Sequence, residues 1–270
     1  MNAVPHAETE SGFEISLIGS SRESRRKHSE VSMTTATQTV REIAQTQPSS
    51  IRVFEQFGIE YCCGGRRPLA EACAAKEVDV ERVIAALEAA SHTSNAQEKD
   101  WTEKSLAQLI EHIVATHHAY CKRELPRLAG LAVRVVNRHG GTNPELALIR
   151  LKVAELAEEL AEHLADEEIF VFPMIADLER KNRSIGQKAD PSPTSIGNPI
   201  ALLIQDHDHA GVLLAEIRSL SKDFTAPGYA CSTFRAFYDG LKDFEQDLHR
   251  HVHLENNILF PQAIKLEAAS

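Results

Sequence analysis

The chain has 270 residues, 43% of them hydrophobic and 25% charged, with a formal net charge of −10. That is the balance of a soluble globular protein with room for one large domain, or a medium one and a small one. The acidic surplus excludes a general nucleic-acid binder, which needs cations to displace counterions from phosphates, and no apolar run is long enough to span a membrane.

Ala, Leu and Glu dominate and β-branched alternation is scarce, so the expected fold class is all-α. Residues 1–36, including "SSRESRRKHSE", are polar and unpatterned and read as a disordered tail. Its Ser and Arg content would suit a transit peptide, but Glu8, Glu10, Glu14, Glu23 and Glu30 oppose that. Met33 opens "MTTATQTVREI" where order is expected to begin, as a start codon assigned too early would leave it. Residues 37–92 form a small helical unit. Within it, "TVREIAQTQPSSIRVFEQFGI" predicts two short helices broken at Gln47-Pro48-Ser49. "YCCGGRRP" is a glycine-rich turn, and "LAEACAAKEVDVERVIAALEAA" predicts two more helices with Asp79 as an N-cap. So short a unit buries little core and is expected to dock on something. Residues 93–100 read as a linker, with Trp101 anchoring it to the long helices beyond.

Residues 101–268 change to long helices, at about 102–138, 143–181, 198–222 and 229–267. Four such helices in sequence favour an antiparallel four-helix bundle. The second carries "HLADEEIFVFP" (163–173) and the fourth "HVHLENNILFP" (251–261). Both read His, Glu four residues on, then Phe-Pro at the ninth and tenth positions after the histidine. On a helix, i and i+4 share a face, so His163 pairs with Glu167 and His251 with Glu255. His249 and His253 are turned roughly 160–200° away. Pro173 and Pro261 are expected to bend or stop their helices. A lone pair of this kind is usually an ion pair on a helix face, but two copies with the same Phe-Pro point to a shared role.

The duplication predicts partners on the other two helices. His118 precedes His163 by 45 residues and His207 precedes His251 by 44, which ties each lone histidine to its own His/Glu pair. Four imidazoles and two carboxylates would then face the bundle core. Buried together, the carboxylates need strong compensation, which a pair of divalent cations supplies. The absence of a thiolate at this spacing disfavours structural zinc. The nitrogen content disfavours calcium and magnesium, and the set suits iron or manganese. Two ions of about six-coordination offer about twelve positions, of which these residues fill about eight.

The pattern of His118, His163, Glu167, His207, His251 and Glu255 resembles a hemerythrin-like di-iron domain. The unit containing "FEQFGIEYCCGGRRPLAEAC" resembles the N-terminal cysteine-pair domain of the Repair of Iron Centres family. Together the resemblances cover residues 37–267. They imply two iron ions per chain in an oxo- or hydroxo-bridged centre, and a cytoplasmic protein restoring damaged iron–sulfur proteins under nitrosative or oxidative stress. A homodimer, and nitric oxide or dioxygen as small ligands, are also implied. The site has fewer histidines than hemerythrin proper and no aspartate, which counts against simple oxygen carriage. Two other functions stay open: a nitric-oxide-reducing enzyme, marked by turnover under a reductant, and a non-catalytic iron donor or gas sensor, marked by iron loss or reversible binding alone.

Two groups of residues carry competing signals. Helical register sets His117 better than His118 in the Ile110/Ile113/Cys121 stripe, whereas the family pattern places the ligand at His118, which is the expectation. Among five cysteines there is no CxxC pair, so free thiols in a reducing compartment are expected. The Cα atoms of Cys62 and Cys63 are about 3.8 Å apart, short for a disulfide. The resemblance makes them a relay for electrons or iron, with Arg66 and Arg67 lowering the thiol pKa values. Cys73 and Cys121 read as small buried hydrophobes.

Overall fold

A computed structural model describes residues 34–62, 65–92, 101, 104–183 and 195–269, all within one unit spanning Thr34–Ser270. Most of the expected tail, Cys63, the linker 93–100 and most of the loop after residue 183 lie outside the described residues. Among the described residues every element is helical and no β-strand forms.

The N-terminal unit holds α1 (Val40–Thr46), α2 (Ser50–Phe57), α3 (Leu69–Ala75) and α4 (Val80–His92). Thr39 and Glu42 form a reciprocal capping box that starts α1, and the backbone N–H groups of Val40 and Arg41 donate to carbonyls of Arg67 and Gly65 in the glycine-rich turn. A side chain at Gly65 would meet the Tyr61 carbonyl oxygen at 2.7 Å, so the turn requires glycine there. Gly58, at φ +65°, ends α2 in the left-handed region. Asp79 caps α4 through the Glu81 N–H, as expected.

Four long helices complete the chain: α5 (106–139), α6 (145–183), α7 (Gly197–Leu220) and α8 (232–268). Three of them contain one widened π-helical turn: Val114–His118 in α5, Glu167–Val171 in α6 and Leu254–Leu259 in α8. Neighbours run antiparallel. Lys152 and His163 of α6 meet Glu216 and Asp206 of α7, and Arg218 and His207 of α7 meet Glu245 and Asn256 of α8. His118 of α5 meets His251 of α8, and Leu128 of α5 lies against Gly240 of α8.

Of the two outcomes expected at Pro173 and Pro261, a bend or a stop, the stop does not occur. A proline ring collides with the carbonyl four residues earlier, and those residues, Ile169 and Asn257, sit in the π turns. The wider turn relieves the conflict and the helix continues. The repeat also reaches further than the Phe-Pro. Glu179 and Glu267 lie twelve residues after Glu167 and Glu255. Glu179 accepts from the first N–H groups of α5, and Glu267 accepts from Ile196 N–H and the Ser195 hydroxyl just before α7. Each repeat thereby caps the helix antiparallel to it. Trp101 stacks on His112 of α5 at 4.3 Å, the anchoring role expected of it.

The N-terminal unit docks on the π turn of α8. A π turn leaves backbone carbonyls without their usual partner, and the unit supplies donors. Arg41 donates to Asn256 O and Asn257 Oδ1, both at 2.6 Å, and Gln45 donates to Asn257 O. Asn257 Nδ2 donates back to Tyr61 O at 2.9 Å, and Arg250 forks onto Glu55. Arg41→Ala should therefore leave a buried carbonyl unpaired and cost about 1–3 kcal/mol. Urea denaturation measures it, and an unchanged midpoint would show that the docking does not depend on this side chain.

Candidate metal centre

His118, His163, Glu167, His207, His251 and Glu255 face one buried volume, each at most 5% exposed. It separates two apolar clusters along the bundle. On one side stand Ile113, Val171, Leu203 and Leu254, and on the other Cys121, Leu160, Ala210 and Leu248. The change of side falls at the polar residue in every helix, so the site is a polar layer closed above and below to water.

Within the layer the donors form two groups that share both carboxylates. One is His118, His251, Glu167 and Glu255; the other is His163, His207, Glu167 and Glu255. Glu167 turns Oε2 to His118 and Oε1 to His163, each at 3.3 Å. Glu255 turns Oε1 to His251 at 2.9 Å and Oε2 to His207 at 3.3 Å. Each carboxylate thus spans the two groups. The histidines pair across the repeats, α5 with α8 and α6 with α7, while each lone histidine also meets the glutamate of its own hairpin, His118 with Glu167 and His207 with Glu255, as the sequence separations suggest. An antiparallel bundle brings each repeat's two ends to opposite halves of the site.

Hydrogen bonding alone fits this arrangement poorly. His118 Nε2 lies 3.1 Å from His251 Nε2, and His207 Nε2 lies 2.9 Å from His163 Nε2. His251 Nε2 also faces Glu255 at 2.9 Å, so one ring nitrogen is asked for a proton and a lone pair at once. Both oxygens of Glu167 and Oε2 of Glu255 are buried without a hydrogen bond. Cations resolve the conflict, because every inward atom can then offer a lone pair. Two donors about 2.1 Å from one ion at a right angle lie about 3.0 Å apart, close to the separations observed. The residues fit a pair of metal ions.

Outward, three of the four rings are held at Nδ1. His118 meets Glu168 at 2.7 Å, His163 meets Asp206 at 3.3 Å, and His207 meets Asn256 at 3.0 Å. Such partners fix ring tautomer and aim. Lys122 in turn pairs with Glu168. Sequence reasoning missed all three, although each is the immediate neighbour of a predicted ligand.

His117 is buried but points elsewhere, to Asp247 at 3.0 Å, with its ring stacked on His251. The π turn Val114–His118 shifts the register after Ile113, which is why straight α-periodicity favours His117 while His118 reaches the layer. The neighbours of His251 also diverge. His253 accepts from Asn257 Nδ2 at 2.8 Å behind the docked unit, and burial, with Arg41 beside it, lowers its pKa to about 4. His249 is half-buried and faces Glu60. Cys62 is buried and donates to Glu60 Oε1 at 2.7 Å, and of the two expected arginines Arg67 lines the same cavity, so an acid as well as a guanidinium stands near this thiol. Cys73 and Cys121 are buried in the core and Cys231 is exposed; all four described cysteines are free.

The hemerythrin HHE cation-binding domain matches residues 109–263, and ScdA_N, a domain of unknown function, matches residues 36–91. The chain is 35% identical to the iron–sulfur cluster repair protein YtfE of Dickeya chrysanthemi (strain Ech1591) over 237 residues, 85% of this chain and 98% of the relative. It is 35% identical to the proteins of that name in Escherichia coli O157:H7 and Shigella boydii serotype 4 (strain Sb227), over 83% of this chain and 94% of each relative.

Without metal, the layer balances its own charge. Burial opposes charge on His118 and His163, but Glu167 and Glu255 outweigh it and push the two imidazoles up to about 10 and about 9. Burial likewise pushes Glu255 up, yet His251, His118 and His207 hold it well below the ordinary carboxylate range. Both raised histidines are protonated at neutral pH and must lose those protons to bind an ion. Metal loading at pH 7 should release about two protons per chain, and affinity should rise with pH until about 9 to 10. Proton uptake by an indicator dye measures this, and metal binding with no release would contradict it.

Proposed function

The chain belongs to the family of iron–sulfur cluster repair proteins, and on that ground we propose that it holds two iron ions and returns damaged iron–sulfur proteins to function. The residues that would hold the ions are His118, His163, His207 and His251, together with Glu167 and Glu255, which both donor groups share. The observation that carries the reading is the sharing of both carboxylates between the two donor groups. A mononuclear site has no use for it.

Bound iron supplies Lewis-acid and electron-transfer chemistry. The protein's own part is to hold the ligand rings. Glu168, Asp206 and Asn256 orient three of them from Nδ1. The apolar clusters above and below exclude bulk water, and six residues leave coordination positions for a small ligand such as nitric oxide or dioxygen. Among the described residues no helix is long and apolar enough to cross a membrane, and free thiols suit the reducing cytoplasm as the site of action. Cys62 and Cys63 are the proposed relay for electrons or iron; Cys63 lies outside the described residues.

Two measurements test this reading. His251→Ala should lose the iron of the buried layer, whereas His117→Ala, His249→Ala and His253→Ala should retain it there, with His253→Ala weakening the docked unit instead. Iron analysis of the purified variants decides, and equal loss from all four would refute the ligand assignment. For function, the double variant Cys62→Ser/Cys63→Ser should keep its iron yet fail to restore activity to a damaged iron–sulfur enzyme. Full restoration would reduce the N-terminal unit to a structural role.

A further inference from the structure

A second group of metal-binding atoms lies outside the polar layer. Cys62 Sγ, a Glu60 carboxylate oxygen and a His249 ring nitrogen all fall within 4.8 Å of one another. Two come from the turn after α2 and one from α8, so the group exists only when the N-terminal unit is docked. Glu60 Oε1 lies 2.7 Å from Cys62 Sγ, and Glu60 Oε2 lies 3.9 Å from His249 Nε2. The edge of Tyr61 packs against His249 and helps fix its ring. All three residues line a cavity of about 320 Å³, whose wall also includes Arg67 and Asp208.

We propose that Glu60, Cys62 and His249 bind a third metal ion, a single divalent transition ion such as ferrous iron or zinc. The donor types decide the class. One sulfur, one nitrogen and one oxygen suit a borderline-soft cation and are wrong for magnesium or calcium. Charge agrees with the donors. Among the described residues that line the cavity, two carboxylates and a thiolate stand against one guanidinium, a balance that favours a divalent cation.

The site differs from the dinuclear layer in exchange as well as chemistry. The layer is closed, whereas the Glu60 side chain is 42% exposed and that of His249 is 24% exposed. Three protein donors beside an open cavity leave a position for an incoming ligand, the arrangement of a site that exchanges or reacts rather than one that only braces a fold. Its existence does not depend on the repair reading.

Cobalt(II) added to the iron-loaded, full-length protein tests the assignment. One further cobalt ion per chain should bind and produce a thiolate-to-cobalt charge-transfer band in the difference spectrum. Cys62→Ser should abolish the band. Glu60→Gln, which changes an exposed side chain, and His249→Ala should each weaken cobalt binding about tenfold or more, while all three variants retain their bundle iron. Absence of the band in the unmodified protein would overturn the proposal. So would a band that survives Cys62→Ser, or an affinity unchanged in both Glu60→Gln and His249→Ala.

Discussion

Glu167 and Glu255 are fully buried in one volume, and two carboxylates so placed must be neutralised or they will not stay ionised. Much of the bundle answers that demand. Four imidazoles surround the pair, three of them held from behind, and each carboxylate turns one oxygen to each half of the layer. With metal absent, protons on His118 and His163 serve the same end. Ions and protons therefore compete for one set of lone pairs, which is why metal affinity is expected to rise with pH.

The three π turns connect that layer to the rest of the fold. They lie on α5, α6 and α8, at or just after the ligands of those helices. In α5 the wide turn lets His118 enter the layer while His117 packs beside it. In α6 and α8 it accommodates the proline that lies ten residues beyond the histidine. In α8 it also offers the carbonyls of Asn256 and Asn257, to which Arg41 and Gln45 bind. Asn256 holds His207 from its side chain and Arg41 from its backbone, so one residue touches both the metal layer and the docked unit. Of the alternating histidines, His251 serves the layer, His253 the interface and His249 the cavity beside Cys62.

The buried donor residues are legible in sequence because helix periodicity and duplication both act locally: His163/Glu167 and His251/Glu255 repeat a four-residue spacing within one element. The α-helical bundle is legible from composition and helix length for the same reason. Register is not legible at His117/His118, because a π turn adds a residue that a 3.6-residue period does not contain. Pro173 and Pro261 mark where such turns lie, but a proline by itself signals a helix stop. The repeat's outer glutamates, Glu179 and Glu267, stand at identical spacing, a signal of the caps that the histidine pattern overshadows. Contacts such as Arg41–Asn257 and Cys62–His249 join residues about two hundred positions apart, and no local pattern announces them.

The central claim is that one layer holds two metal ions bridged by two carboxylates. X-ray diffraction from crystals of the iron-loaded protein, recorded at the iron absorption edge, measures it directly. The account predicts two anomalous peaks about 3.5 Å apart, one facing His118 and His251 and the other facing His163 and His207, with Glu167 and Glu255 between them. A single peak in the layer, or iron located away from both carboxylates, would contradict it.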